Sequence, residues 1–254
     1  MKQVSVITGG TAGIGLACAR ELLDAGGTVV ISGRSAERGR KALAELDAGA
    51  SARYIPADVT EVSDIDRLIE ETITDYGRID VLVNNAGGMI DTGELVVNLD
   101  DDALNRSFNL NVNSAFWTSR AALRHMLPRG YGRIINMSSI AGKIGAPALA
   151  GYISTKHALI GFTKALAQEV TALGVTVNAI CPGITDTDML PRQFKGVIEK
   201  HGADFEDGLS HYIGGLARKN TPAEVGALVA FLSDPKASGI SGCAYSVDGA
   251  FTHF

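Results

Sequence analysis

At 254 residues, with 46% hydrophobic and 20% charged side chains, the chain is long enough for one large α/β domain with a sizeable core. Its 23 basic and 28 acidic residues give a net charge of −5, which argues against a nucleic-acid backbone as partner, since phosphate binding needs a concentrated positive surface. No window approaches the roughly 18 uninterrupted apolar residues of a membrane span, and Gln3–Thr8 is too short for a signal-peptide core. Arg120, Arg124, Arg129 and Arg133 are the one local basic group; they read as a solvated helix end, with docking of an acidic carrier protein as the lesser reading. Cys18, Cys181 and Cys243 stand far apart in apolar sequence without C-x-x-C spacing and read as buried free thiols in a reducing cytoplasm. The histidines show no paired metal-ligand spacing, so no metal is expected.

Val4–Thr8 is a short apolar, β-branched run and reads as the first strand. Thr8-Gly9-Gly10-Thr11-Ala12-Gly13-Ile14-Gly15 follows at once and opens a helix over Ile14–Ala25. Glycines let the backbone turn tightly and approach a pyrophosphate, whose charge then sits at the helix N-terminus. The spacing is G-x-x-x-G-x-G rather than G-x-G-x-x-G, and a tight strand–helix connection without a ligand is the competing reading. The second strand, Thr28–Ser32, ends at Ser32-Gly33-Arg34, where NAD enzymes place an acid for the ribose hydroxyls. That acid is missing. Arg34 offers a 2′-phosphate a bidentate partner or lies against the adenine, so NADP(H) is favoured over NAD(H).

Further strands are expected over Ala52–Ala57, Val81–Asn84, Arg133–Met137, Val175–Ile180 and Ala244–Val247. Helices fall between them over Ala36–Leu46, Val62–Tyr76, Asp100–Leu127, Tyr152–Leu173 and Ala223–Leu232. Strands nearly continuous in apolar character, alternating with helices, imply a seven-stranded parallel sheet with helices on both faces. The expected architecture is one doubly wound, Rossmann-type α/β domain over residues 1–254, with its site at the strands' C-terminal ends. A lid over residues 188–218 carries Met189, Leu190, Phe194, Phe205, Tyr212 and Ile213 among charged residues. It suits a medium-sized, partly apolar ketone or alcohol, although ordinary amphipathic packing would look the same.

Tyr152 and Lys156 are four apart and share a helix face. Ser139 lies 13 residues before Tyr152, just past the fifth strand. A Tyr–Lys pair at this spacing, seen alone, is more simply an exposed surface pair. Together with the glycine turn, these residues resemble the short-chain dehydrogenase/reductase family over nearly the whole chain. The family's T-G-x-x-x-G-x-G turn is Thr8 to Gly15, its N-N-A-G segment is Asn84-Asn85-Ala86-Gly87, and its third-strand aspartate is Asp58, followed by Val59. Its P-G-x-x-x-T element is Pro182-Gly183-Ile184-Thr185-Asp186-Thr187. The resemblance implies a catalytic set of Asn111, Ser139, Tyr152 and Lys156. It also implies cofactor contacts from Gly9, Thr11, Gly13, Ile14 and Gly15, from Asp58 and Val59 near the adenine, from Asn85, Ala86 and Gly87, from Tyr152 and Lys156, and from Pro182, Gly183, Ile184 and Thr187. Taken singly, Asn84 and Asn85 also suit a strand cap, Pro182-Gly183 a plain turn, and Asp58 a helix cap. Some NADP-dependent relatives carry a basic residue in the glycine turn, and here Gly10-Thr11-Ala12 is uncharged.

This set performs one chemistry. Hydride arriving at a ketone leaves an alkoxide that needs a proton, which Tyr152 supplies. A free phenol titrates near 10 and transfer near neutrality wants about 7, so roughly 4 kcal/mol of phenolate stabilisation is required. The Lys156 ammonium and an oxidised nicotinamide are its sources, and the Ser139 hydroxyl holds the substrate oxygen. By the resemblance, Asn111 anchors a water that links Lys156 to solvent, and relatives are commonly homotetramers. The expected activity is a carbonyl reductase of 3-oxoacyl or cyclic-ketone type. An NAD-dependent secondary-alcohol dehydrogenase is the alternative, and a non-catalytic cofactor sensor on the same fold is the alternative from another class.

Overall fold

The computed structural model describes residues 2–90, 93–188, 190–201 and 213–252. The strands are β1 (Val4–Ile7), β2 (Thr28–Gly33), β3 (Ala52–Pro56), β4 (Val81–Asn84), β5 (Gly132–Met137), β6 (Val175–Pro182) and β7 (Ala244–Val247). They form one sheet in the order β3-β2-β1-β4-β5-β6-β7, every pair parallel. The helices are α1 (Gly13–Asp24), α2 (Ala36–Leu46), α3 (Val62–Tyr76), α4 (Asp101–Phe108), α5 (Ser114–Met126), α6 (Ala150–Val170), α7 (Leu190–His201) and α8 (Pro222–Ser233).

Strand register explains why both faces are covered. Val30, Val6, Leu82, Ile134 and Val177 are paired neighbours across five strands and form one apolar row. That row packs under α3, α5 and α6 through residues such as Leu68, Met126 and Leu166. The next row, Ile31, Ile7, Val83 and Ile135, points the other way and packs under α1, α2 and α8 through Cys18, Leu46 and Val229. Successive strand side chains alternate faces, so a continuous apolar strand serves two cores at once.

Strand order reverses between β1 and β4, which leaves a crevice beyond their carboxyl ends. The opposite edge of the sheet is closed by charge. The buried Asp80 carboxylate accepts from the Val4 N–H at 2.9 Å, from Arg78 at 2.8 Å and from Arg129. Burial pushes its pKa up, but the Arg78, Val4 and Arg129 donors outweigh it and hold the carboxyl below its usual range.

Three expectations need correction. The helix expected over Asp100–Leu127 is interrupted by a π-turn at Asn109–Asn113. The solvated basic helix end holds for the exposed Arg120 and Arg124 only: Arg129 bonds the Ile79 carbonyl and Asp80, and buried Arg133 lies 4.5 Å from the Tyr131 ring. Cys243 is half-buried, unlike Cys18 and Cys181. The lid segment contains a helix, α7, in line with its other reading as amphipathic packing. Met189, Phe205 and Tyr212 of that segment lie outside the described residues, as do His253 and Phe254.

Candidate active site

The crevice begins at the end of β1. The Thr8 hydroxyl donates to the Val83 carbonyl at 3.3 Å and accepts the N–H groups of Asn85 and Ala86 at 3.0 and 3.1 Å. The Asn85 amide donates back to the carbonyls of Thr8 and Gly9 at 3.0 and 3.1 Å. These bonds strap the two strands together where the order reverses, and Asn85 serves both as that strap and as a wall of the crevice.

The glycines are required here. Gly9 and Gly13 have φ of +63° and +54°, and a Cβ on Gly15 would stand 2.4 Å from the Gly9 carbonyl oxygen. No side chain caps the N-terminus of α1. A tight, uncapped helix start behind a glycine turn fits a pyrophosphate.

Farther along, Gly33 packs against the Thr11 side chain, and the Arg34 guanidinium, 80% exposed, stands 3.8 Å from the Asp58 carboxylate. Asp58 also accepts from the Thr60 N–H and hydroxyl at 3.0 and 2.7 Å, so it is at once a turn residue and part of the crevice wall. Glu37 and Arg38 border this end as well. Sequence reading passed over both because they look like ordinary first-turn helix charges.

At the other end, Ser139 follows β5 and its hydroxyl accepts the Ala141 N–H at 3.1 Å. Lys156, on α6, is buried; its ammonium donates to the Met137 carbonyl at 2.9 Å and lies 5.5 Å from the Tyr152 ring centre. Burial pushes its pKa down to about 8, opposed in part by the neighbouring Cys181. One cavity of about 850 Å³ runs from Arg34 to Tyr152. Every sequence-expected site residue except Asn111 lines it.

Asn111 stands just behind. A Cβ on Gly87 would meet the Asn111 Oδ1 at 2.7 Å and the Lys156 Nζ at 3.5 Å. The Asn111 amide donates to the Gly88 carbonyl at 2.9 Å and accepts the Gly88 N–H at 3.0 Å. It also donates to the Ser107 carbonyl at 3.0 Å. That carbonyl, four residues back, is the acceptor an α-helical N–H at 111 would use, so the side chain takes it and the ladder widens into the π-turn.

Known proteins bear out the likeness of fold and sequence. The family model for short chain dehydrogenases matches residues 3–197. A 3-oxoacyl-[acyl-carrier-protein] reductase of Synechocystis sp. is 38% identical, over 99% of this chain and 98% of that one. A 3beta-hydroxysteroid dehydrogenase of Mediterraneibacter gnavus is 35% identical, over 100% of this chain and 96% of its own. The crystal structure of a single-substitution variant of actinorhodin polyketide ketoreductase with NADPH superposes with a TM-score of 0.91 at 34% identity, covering 100% of this chain and 98% of that one. The chain belongs to the short-chain dehydrogenase family and is an oxidoreductase acting between hydroxyl and carbonyl groups.

Proposed function

We propose that the chain is an NADP(H)-linked ketoreductase for a medium-sized, largely apolar ketone, with Tyr152 as its proton-transfer residue. The observation that carries this reading is the meeting of Ser139, Tyr152 and Lys156 in the same cavity as the glycine cradle. The chemistry that a bound nicotinamide cofactor supplies is hydride donation or acceptance. Gly9, Gly13, Ile14 and Gly15 would hold its pyrophosphate, and Asn85, Ala86, Gly87, Pro182, Gly183, Ile184 and Thr187 would border the rest of it.

In reduction, the Tyr152 hydroxyl gives its proton to the substrate oxygen; in oxidation it takes that proton back. The Ser139 hydroxyl donates to the same oxygen and stabilises the charge developing there. Lys156, largely protonated at neutral pH, favours the phenolate of Tyr152. Asn111 holds the Gly87–Gly88 wall against Lys156.

The substrate end supports an apolar ligand. Met89, Leu110, Ile144, Leu149, Ile153 and Leu190 line the cavity, along with the charged Asp188 and Lys156. The names of the Synechocystis and actinorhodin relatives point to 3-oxoacyl and polyketide ketones. NADP(H) is supported by Arg34 standing where an acid would repel a 2′-phosphate, and by NADPH in the actinorhodin structure. Free thiols at Cys18, Cys181 and Cys243 fit a cytoplasmic setting.

Cyclic ketones and 3-oxoacyl thioesters, assayed with both cofactors through nicotinamide absorbance, test the reading. Tyr152→Phe should lower turnover by about 10²–10⁴-fold while cofactor affinity stays within a few fold. Turnover within about tenfold of wild type would overturn the assignment.

A further inference from the structure

Two reciprocal hydrogen bonds join the end of β5 to the middle of α6. The Lys156 ammonium donates to the Met137 carbonyl at 2.9 Å. One residue on, the Ser138 hydroxyl donates to the carbonyl of Lys156 itself at 3.0 Å. The Ser138 N–H is in turn fixed to the Ile180 carbonyl of β6 at 2.7 Å, so the hydroxyl hangs from the centre of the sheet, 4% exposed. A Cβ on Gly142 would lie 2.6 Å from that hydroxyl and 2.8 Å from the Lys156 carbonyl oxygen. A glycine there leaves the clasp room to close.

Inside a helix the Lys156 carbonyl already serves the backbone ladder, so α6 does not need the extra donor to form. What the donor adds is position. We propose that Ser138 is a positioning residue, whose hydroxyl fixes α6 against β5 and so holds the Lys156 ammonium at Met137 and beside the Tyr152 ring. Both serines border the cavity, but the hydroxyl of the buried Ser138 is turned to the Lys156 carbonyl; Ser139 is the one assigned to the substrate oxygen, and Ser138 acts through Lys156. This role rests on those given above to Tyr152 and Lys156.

Without the hydroxyl, α6 is free to shift and the ammonium to withdraw, and the phenol then ionises only at higher pH. The other titratable groups packed around the clasp are the Cys181 thiol of β6, pushed up by burial, and Lys143 beyond the Ile140–Gly142 turn. Both remain in every variant used, and Ser138→Ala also removes the hydroxyl that reaches the Cys181 thiol.

The test is the pH profile of alcohol oxidation. In Ser138→Ala, kcat at neutral pH should fall about 10- to 100-fold, the scale of a small misplacement of a catalytic group. Its rise towards alkaline pH should move up by about one pH unit, with cofactor affinity within about twofold. An unmoved midpoint with kcat within about threefold of wild type overturns the role, whatever the melting temperature does. If Ser138→Ala does not fold, Gly142→Ala reaches the clasp from the other side and should displace the profile the same way; an undisplaced profile there refutes the role equally. Tyr152→Phe, run alongside, separates the failures. If it turns over, the acid–base reading fails; if it is dead while Ser138→Ala keeps the wild-type profile, the clasp alone fails.

Discussion

Replacing Lys156 with methionine keeps the unbranched stem and removes the charge, so it isolates what burial of the ammonium costs the fold. Burial lowers the folded-state pKa from 10.5 to about 8, while the unfolded chain keeps the ordinary value. Between pH 8 and 10.5 the unfolded state therefore binds a proton that the folded state has released. Stability of the wild type rises with pH across that window, and the whole penalty is present below it. The two values are about 2.5 pH units apart, and each pH unit is about 1.4 kcal/mol, so the penalty is about 3 kcal/mol. The variant escapes it but leaves the Met137 carbonyl without its donor, at a cost of about 1–3 kcal/mol that does not depend on pH. The difference between the two proteins is thus the discriminating quantity. Thermal melting of cofactor-free protein at one concentration should show wild type gaining on the variant by roughly 5–10 °C between pH 8 and pH 10, at 2–4 °C per kcal/mol for a chain of this size. A difference that stays flat to about 1 °C over that range would refute the reasoning.

Arg34→Ala should lower the ratio of kcat/KM for NADP(H) over NAD(H) by about tenfold, the lower end of a charge-assisted contact, because the guanidinium is 80% exposed and already faces Asp58. Steady-state kinetics with both cofactors decide it, and an unchanged ratio leaves Arg34 stacking on the adenine. On the outer surface, Phe116 of α5 is 44% exposed, sits 5.8 Å from the Phe162 ring of α6 and carries Arg120 over its face. A homotetramer is expected through these helices, with a homodimer as the smaller assembly. Light scattering that gives a monomer at micromolar concentration contradicts it.

Local pattern carried the parts of this fold that depend on near neighbours. The strands follow from β-branched runs, and the doubly wound order follows from their alternation with helices. Thr8 to Gly15 could be read because its glycine spacing is local in the chain, although the close approaches that require Gly9, Gly10 and Gly15 come also from Asn85, Ala86 and Ile31. What escaped depends on distant partners. The break at Asn109–Asn113 arises because Asn111 takes the Ser107 carbonyl while also bonding Gly88, which lies 23 residues away along the chain. Arg129 looked like surface charge because its partner, Asp80, lies 49 residues back. The 13-residue spacing chose Ser139 over Ser138; both serines border the cavity, and their hydroxyls have different partners, the Ala141 N–H for Ser139 and the Lys156 carbonyl for Ser138. Spacing said nothing of what the Ser138 hydroxyl holds, because its partner lies 18 residues along the chain.

The two edges of the sheet are built to different rules. At the amino edge the buried Asp80 carboxylate is satisfied by two guanidinium groups and a backbone N–H. At the carboxyl edge local preferences are repeatedly set aside. There α1 starts without a side-chain cap, Lys156 is buried as a cation, and Ala148, next to the pocket residue Leu149, has a φ of +59°. A left-handed alanine costs about 1 kcal/mol or more, and a buried ammonium more again, so neither persists unless the surroundings force it. The start of α1 and Lys156 line the cavity and Ala148 adjoins it, and the first two leave a ligand an uncapped helix end and a positive charge. The apolar rows through Val6 and Ile7 supply the stability that lets this edge stay strained, and for that reason core and site can be perturbed separately.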